Sequence, residues 1–204
     1  YRGSRPASVV VAGMIAAHNL RGTWDRDVDL FYAPSEFTRA KYVEGGFPAE
    51  RIRVKPNFVH PDPGPGDGKG GYVLFVGRHA PEKGLHTLIE AWGQVPESLR
   101  LRVVGDGPLA DDVVAAATRD PRIEWLGRRS PGEVLDLIGN AALLVMPSEW
   151  YETFGRTIVE AFSRGTPVVV GGMGAMAELV DHGATGLHFR PGDPADLAAR
   201  VREL

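Results

Sequence analysis

The chain has 204 residues, with 23 Lys and Arg against 26 Asp and Glu and a formal charge of −3. This balance disfavours a nucleic-acid partner, because binding a phosphate backbone requires a strongly basic surface. A hydrophobic fraction of 43% is enough to bury a core, and the lack of cysteine excludes disulfides and cysteine-ligated metals. No run of about 18 apolar residues predicts a transmembrane segment.

The first part of the chain, residues 1–57, has too few predicted strands for a domain of its own. Residues 28–34 predict one strand, Ser35 is a candidate N-cap for a helix over 36–44, and residues 52–55 predict a second short strand. One or two strands do not make an independently stable sheet. We therefore expect residues 1–57 to be the end of a preceding domain, and the chain to be a piece of a longer one.

A segment rich in Gly, Pro and Asp follows and predicts a linker over 58–71, because its composition cannot build a core. Beyond it, apolar runs alternate with helical patterns over 72–204. This alternation is typical of an α/β fold with a Rossmann-like, doubly wound parallel sheet. The predicted strands are 72–76, 101–104, 123–126, 143–146, 167–170 and 186–189, and the predicted helices are 84–93, 108–118, 131–139 and 153–164.

The turn after the strand 72–76 carries Gly77, Arg78 and Lys83 ahead of a predicted helix. In open α/β sheets, ligands bind at the carboxyl ends of the strands. Two cations beside the free N–H groups of a helix start fit a diphosphate. The same residues are equally explained as surface charges partnered by Glu82.

The turn 105–110 matches the G-x-G-x-x-A pattern of dinucleotide-binding proteins, and Glu124 follows at a suitable distance for a ribose-binding acid. It supports an alternative interpretation, an NAD(P)-dependent oxidoreductase. The turn follows the second strand of the predicted sheet, whereas the dinucleotide-binding pattern follows the first. A pattern with only three fixed positions also occurs easily by chance in a glycine-rich chain. A plain tight turn is therefore favoured here.

Two carboxylates eight residues apart, Glu152 and Glu160, follow the strand 143–146. On one helix they would point about 80° apart, so we expect Glu152 before the helix and Glu160 within it, both reaching one cleft. The alternative is that both glutamates are ordinary charged residues of a helix, with no functional role. A glycosidase pair is disfavoured, because hydrolysis does not call for the cationic turn. The six histidines have no metal-ligand spacing, so no metal site is predicted.

Taken in this order, the segments resemble the retaining GT-B glycosyltransferases of family 4, mainly their C-terminal, donor-binding domain. The matching segments are APSEFTRAKYVEGGFPAERIRVKPNFV (33–59), VLFVGRHAPEKGLHTLIEAW (73–92), LRVVGDGP (101–108), WLGRRSPGEV (125–134), VMPSEWYETFGRTIVEAFSRGTPVV (145–169) and ELVDHGATGLHFRPGDPADLA (178–198).

The resemblance implies roles for individual residues. Arg78 and Lys83 match the cations that hold the donor diphosphate, Glu152 matches the residue that faces the donor sugar, and Glu160 matches the carboxylate that binds the ribose hydroxyls. The first three are the implied catalytic residues. The other implied donor-binding residues are Gly77, Phe154, Gly155, Arg156 and Thr157 around the sugar and phosphates, and Leu126, Gly127 and Arg128 beside the base.

The resemblance also implies the reaction. A sugar passes from a nucleoside-diphosphate sugar to an acceptor with retention of the anomeric configuration, and fixed positive charge stabilises the leaving diphosphate without a metal or other cofactor. The implied partners are the nucleotide sugar, an N-terminal domain outside this chain, and an acceptor that is a sugar, a lipid-linked molecule or a small molecule. We expect a cytoplasmic protein, with membrane association of the full-length protein left open. The isolated chain is expected to bind donor without catalysing transfer; a nucleotide-sugar-binding module with no activity is the remaining alternative.

Overall fold

The structure is a computed structural model that describes residues 4–203. The chain divides into two compact units, Tyr1–Pro56 and Asn57–Leu204. No helix in the described range is both long and apolar enough to cross a membrane.

The described residues of the first unit, 4–56, form three α-helices and two short strands. The helix predicted over 36–44 is confirmed, and Ser35 caps it by accepting a 3.1 Å hydrogen bond from the Thr38 N–H. The two strands pair in parallel, but the first is shorter than predicted. The elements are α1 (Arg5–Leu20), α2 (Thr23–Arg26), β1 (Phe31–Ala33), α3 (Glu36–Glu44) and β2 (Ile52–Val54). The assignment of this unit to a preceding domain stays a prediction.

The second unit is a six-stranded parallel sheet in the order β5-β4-β3-β6-β7-β8. This is the Rossmann-like strand order, so the predicted fold class is confirmed. Its elements are β3 (Tyr72–Val76), α4 (Leu85–Trp92), β4 (Arg100–Val104), α5 (Ala110–Arg119), β5 (Ile123–Gly127), α6 (Pro131–Asn140), β6 (Leu143–Met146), α7 (Arg156–Ser163), β7 (Val168–Gly171), α8 (Gly174–Leu179), β8 (Gly186–Phe189) and α9 (Pro194–Glu203).

The central strands β3, β6 and β7 are buried on both faces, which explains their unbroken apolar runs. The edge strand β5 is partly exposed. Successive side chains of a strand point to opposite faces. In β3, Val73 and Phe75 pack into a core with Leu88 and Trp92 of α4, while Leu74 packs into a second core on the other face with residues of α6 and α7. Each predicted strand of this sheet is found within one residue of its predicted ends.

Three helices begin later than predicted: α4 by one residue, α5 by two and α7 by three. Pro108 is not the first residue of α5, which begins at Ala110. The helix predicted from residue 153 is α7, and it begins at Arg156 because Gly155, at its N-cap, has a φ of 96° in the left-handed region. By contrast, Pro131 is the first residue of α6, as predicted.

The segment 58–71 is attached along the second unit. Its Gly66 N–H donates to the Arg164 carbonyl at 2.8 Å, and its Gly68 N–H donates to the Gly139 carbonyl at 3.0 Å. The Arg164 guanidinium in turn donates to two carbonyls of the segment. The glycine-rich composition predicted a linker; the structure adds that this part of the chain is held by backbone hydrogen bonds.

The strand order reverses between β3 and β6, since β4 and β5 lie on one side and β7 and β8 on the other. Ligands of open α/β sheets bind outside the carboxyl ends of the strands at such a reversal. Residues 77–84 leave β3 at this point, and residues 147–155 leave β6 there.

Candidate functional site

The turns that follow β3 and β6 are in direct contact. Gly84 has a φ of 68°, and a Cβ at this position would lie 1.9 Å from the Pro147 carbonyl oxygen. Next to it, the Glu149 N–H donates to the Glu82 carbonyl at 3.0 Å. Only glycine allows this approach, which brings the side chains of the two turns together.

An ion pair links Lys83 of the β3 turn with Glu152 of the β6 turn. Both side chains are largely buried, with exposed fractions of 25% and 19%. The Ser148 hydroxyl donates to the same carboxylate oxygen, Oε1, at 2.7 Å. An ammonium group has three donors, so Lys83 keeps two N–H groups for a further acceptor.

Arg78 and Gly77 lie at the start of the same turn. The Gly77 N–H donates to the Val104 carbonyl at 3.1 Å, which ties the turn to β4. The Arg78 side chain is exposed, and no carboxylate among residues 4–203 pairs with it. The structure therefore brings Lys83 to Glu152 and leaves the second cation open to solvent.

The start of α7 follows Glu152 directly. Phe154 is buried, and Gly155 approaches the helix so closely that a Cβ there would lie 2.8 Å from Ile158 Cδ1. Within the described part of the chain, no side chain caps this helix. The first N–H groups of α7, at Arg156 and Thr157, therefore stay available to an acceptor. Glu152 lies before the helix and Glu160 within it, as predicted.

Glu160 lines a cavity of about 550 Å³. One wall is the segment 58–63, and the other is the start of α6 with Pro131 and Val134. The Glu160 carboxylate pairs with the Arg156 guanidinium at 3.0 Å. Burial raises the pKa of Glu160 above its usual range, and the charge and hydrogen bond of Arg156 offset part of that rise.

The three residues predicted to flank the base do not line this cavity. Leu126 lines a separate cavity of about 610 Å³ beside Tyr72. The Gly127 carbonyl accepts from the Gly105 N–H at 2.9 Å, and the Arg128 guanidinium pairs with Asp106 at 3.3 Å. Their neighbour Arg129 lines both the Glu160 cavity and the cavity beside Tyr72. A role for residues 126–128 at the base stays a prediction.

The glycines of the turn 105–110 are explained by packing against the β3 turn. A Cβ at Gly105 would lie 1.9 Å from the Gly77 carbonyl oxygen, and one at Gly107 would lie 2.5 Å from the His79 carbonyl oxygen. The dinucleotide-binding pattern belongs to the first strand of such a sheet, whereas this turn follows the second. The oxidoreductase interpretation is therefore not supported.

Two features of the site were not predicted from the sequence. Ser148 is a polar residue directly after a buried strand, and that position was a usable signal. The wall formed by residues 58–63 had no such signal, because its composition predicted only a linker. Among the residues that the structure describes, no group of three or more His, Cys, Asp or Glu side chains is arranged to hold a metal ion.

Comparison with known proteins finds curated relatives and solved structures that resemble this chain. The sulfoquinovosyl transferase of Arabidopsis thaliana is 30% identical over 199 residues, which are 96% of this chain and 35% of that protein. A 2-deoxystreptamine glucosyltransferase of Streptomyces kanamyceticus is 34% identical over 163 residues, 77% of this chain and 41% of that protein. The chain therefore spans well under half the length of these curated relatives.

Among solved structures, the Anabaena protein HepE in complex with UDP and glucose matches with a TM-score of 0.79 at 27% identity, over 91% of this chain and 56% of that one. A lipopolysaccharide outer core galactosyltransferase in its apo form matches with a TM-score of 0.70 at 26% identity, over 85% and 52%. The family model for glycosyl transferases group 1 matches residues 70–204. The chain belongs to this family, the glycosyl transferases group 1, which have the GT-B fold.

Proposed function

We propose that this chain supplies the donor-binding half of a retaining, family 4 glycosyltransferase, which moves a sugar from a nucleoside-diphosphate sugar to an acceptor. One observation carries the proposal: Lys83 and Glu152 meet at the carboxyl ends of the two central strands, where the strand order reverses. A cation for the diphosphate and a carboxylate for the sugar thus stand side by side. Retention of configuration rests on the likeness to family 4.

The chemistry needs positive charge where the leaving group forms. The anomeric C–O bond breaks and the nucleoside diphosphate leaves with the bonding electrons. The acceptor hydroxyl forms the new bond to the same carbon through its oxygen and gives its proton to the departing diphosphate. Lys83 and the open N–H groups of α7 supply fixed positive charge for the departing oxygen, and the solvent-exposed Arg78 adds a second cation at the same turn. We propose that these groups act without a metal ion, so donor affinity is expected to be equal in EDTA and in Mg²⁺.

The cavity at Glu160 suits the nucleoside part of the donor. An ionised carboxylate only accepts hydrogen bonds, which matches the hydroxyl groups of a ribose. Apolar side chains at Pro131 and Val134 offer a surface for the flat face of a base. The UDP bound by HepE supports a nucleotide ligand. The names of the relatives specify transfer of different sugars. The proposal therefore covers nucleotide sugars as a class.

The acceptor is proposed to bind mainly to an N-terminal domain outside this chain, since the matched relatives are much longer than the chain. The isolated chain is then expected to bind donor without catalysing transfer. Detectable transfer by the chain alone would contradict this part of the proposal.

Calorimetric titration of the chain tests the donor role. The panel is UDP, GDP, ADP, their glucose conjugates and NAD. Saturable binding of at least one nucleoside diphosphate or nucleotide sugar is expected, with no binding of NAD. A chain that binds none of them, or that prefers NAD, would contradict the proposal.

A further inference from the structure

The Glu152 carboxylate has one engaged oxygen and one open oxygen. Its Oε1 accepts a hydrogen bond from the Lys83 ammonium and another from the Ser148 hydroxyl. Within residues 4–203 no donor bonds to Oε2. A carboxylate fixed through one oxygen presents the other in a defined direction.

We propose that Ser148 is a positioning residue, which holds Glu152 through Oε1 so that Oε2 accepts a hydrogen bond from a hydroxyl group of the donor sugar. This inference rests on the proposed donor-binding function, in which Glu152 faces the sugar.

The two partners of Oε1 act differently. An ammonium is a compact point charge on a flexible stem, so the attraction of Lys83 depends weakly on the orientation of the carboxylate. A hydroxyl hydrogen bond is directional and weakens steeply away from a linear geometry. Ser148 therefore fixes the orientation that the ion pair alone leaves open.

Ser148 is itself firmly placed. It is 1% exposed and follows Pro147 directly after β6. The Pro147 carbonyl is the atom that Gly84 approaches so closely. Because the hydroxyl is fixed to the central sheet rather than to a long loop, it can hold a carboxylate to the accuracy that a sugar contact needs.

Only the sugar part of the donor should sense this arrangement. An ionised carboxylate oxygen is an acceptor, so Oε2 pairs with a hydroxyl of the sugar and repels the phosphates. The affinity gained when a nucleoside diphosphate carries its sugar, here called the sugar gain, should therefore depend on Ser148. The affinity for the nucleoside diphosphate itself should not.

Calorimetry measures the sugar gain directly. The nucleotide sugar with the largest sugar gain in the wild-type panel is used as the probe, with its own nucleoside diphosphate as the reference. Ser148→Ala is expected to reduce the sugar gain by about tenfold, the usual effect of losing a hydrogen bond to a charged group. Binding of the nucleoside diphosphate is expected to change little, because Lys83 keeps both its charge and its ion pair with Glu152.

Thr87→Val is the matched control. Thr87 is a buried hydroxyl that donates to Glu149, a carboxylate of the same turn as Glu152. Its replacement removes a hydroxyl hydrogen bond to a carboxylate of the same turn but is expected to keep the full sugar gain. Ser148→Cys, which keeps the shape with a weaker donor, is expected to give an intermediate loss and serves if Ser148→Ala does not fold.

A double-mutant cycle shows whether Ser148 acts through Glu152. Glu152→Ala is expected to reduce the sugar gain at least as much as Ser148→Ala does, and adding Ser148→Ala to it should reduce the remaining sugar gain no further. A sugar gain unchanged by Ser148→Ala or by Ser148→Cys, an equal loss in Thr87→Val, or a further loss in the double mutant would each overturn the inference. No sugar gain for any probe in the wild type would instead contradict the proposed function on which the inference rests.

Discussion

Lys83 and Glu152, 69 residues apart in the chain, form an ion pair at the junction of the β3 and β6 turns. Each residue lies only a few positions beyond a central strand. The pair is therefore set by the parallel register of β3 and β6, in which Val73 lies opposite Leu143. The geometry of the site is therefore determined by the pairing of the two central strands.

Replacing Lys83 by alanine should remove one fixed positive charge from the leaving diphosphate. Loss of such a group costs about 3 to 4 kcal/mol in the transition state, so turnover of the full-length enzyme is expected to fall by two to three orders of magnitude. Circular dichroism should report an unchanged fold. Lys69→Ala, an exposed lysine of the 58–71 segment, is the control and should keep full activity. Near-normal turnover of Lys83→Ala would refute the role.

As the pH is lowered, donor affinity should begin to fall at a higher pH than it would if Glu160 had the ordinary pKa of a glutamate. Glu160 must be ionised to accept hydrogen bonds from the ribose, and burial raises its pKa. As the pH falls through this raised pKa, the protonated fraction grows and binding weakens. Titration with a nucleotide sugar over a range of pH measures the effect. Glu160→Gln should bind more weakly, with a flatter pH profile.

The exposed Glu90→Gln is the control for that titration and should keep the wild-type profile. Identical pH profiles for the wild type and Glu160→Gln would show that Glu160 does not carry the dependence.

The contact between the two turns should be costly to disturb at Gly84. Alanine there places a Cβ 1.9 Å from the Pro147 carbonyl oxygen, on a backbone with a φ of 68°. The left-handed backbone costs about 1 kcal/mol and the overlap about 2 kcal/mol more. Gly183 is a matched control, because its φ is 82° and no atom lies within 4 Å of an added Cβ.

Urea denaturation should therefore show a loss of about 3 kcal/mol for Gly84→Ala and about 1 kcal/mol for Gly183→Ala. Equal losses in the two variants would mean that the close approach to Pro147 contributes nothing to stability.

The folded chain should lose stability in mild acid through His79. This side chain is fully buried beside the rings of Phe75 and Trp125. Burial lowers its pKa, while Asp106 and the Val104 backbone offset part of the shift. The unfolded chain then takes up the proton at a higher pH than the folded chain does. The stabilising contribution is therefore complete above about pH 6.5 and declines as the pH falls towards the lowered pKa.

His79→Leu removes this titration. The difference in the free energy of unfolding between about pH 7.5 and about pH 5 should be smaller in the variant than in the wild type. An unchanged difference would show that His79 is not the group responsible.

The strands β3, β6 and β7 could be predicted from sequence because both of their faces are buried, so that each is an unbroken apolar run. The runs of β4 and β5 are interrupted by the charged residues Arg102 and Glu124. Helix starts were less predictable. Gly155 delays α7 by three residues through its left-handed backbone, and no side-chain pattern reports that conformation. Pro108 marks a turn before α5, since proline suits a turn as well as the first position of a helix.

The individual residues of the site could be predicted from the sequence, but the contacts between them could not. Lys83 and Glu152 could be named from motifs, whereas their ion pair depends on the approach of Gly84 to Pro147. The wall of the Glu160 cavity was missed for a related reason. The segment that forms it is held through backbone groups, since the Arg164 guanidinium donates to the Pro63 and Gly64 carbonyls, and every sequence contains such carbonyls.

A crystal structure of the chain with a bound nucleotide sugar would locate the donor site itself. We expect diphosphate oxygens against Lys83 Nζ, ribose hydroxyls on Glu160 and a sugar hydroxyl on Glu152 Oε2. A nucleotide sugar ordered elsewhere, such as in the cavity beside Tyr72 and Arg102, with Lys83 and Glu152 still bonded only to each other and to Ser148, would contradict this expectation.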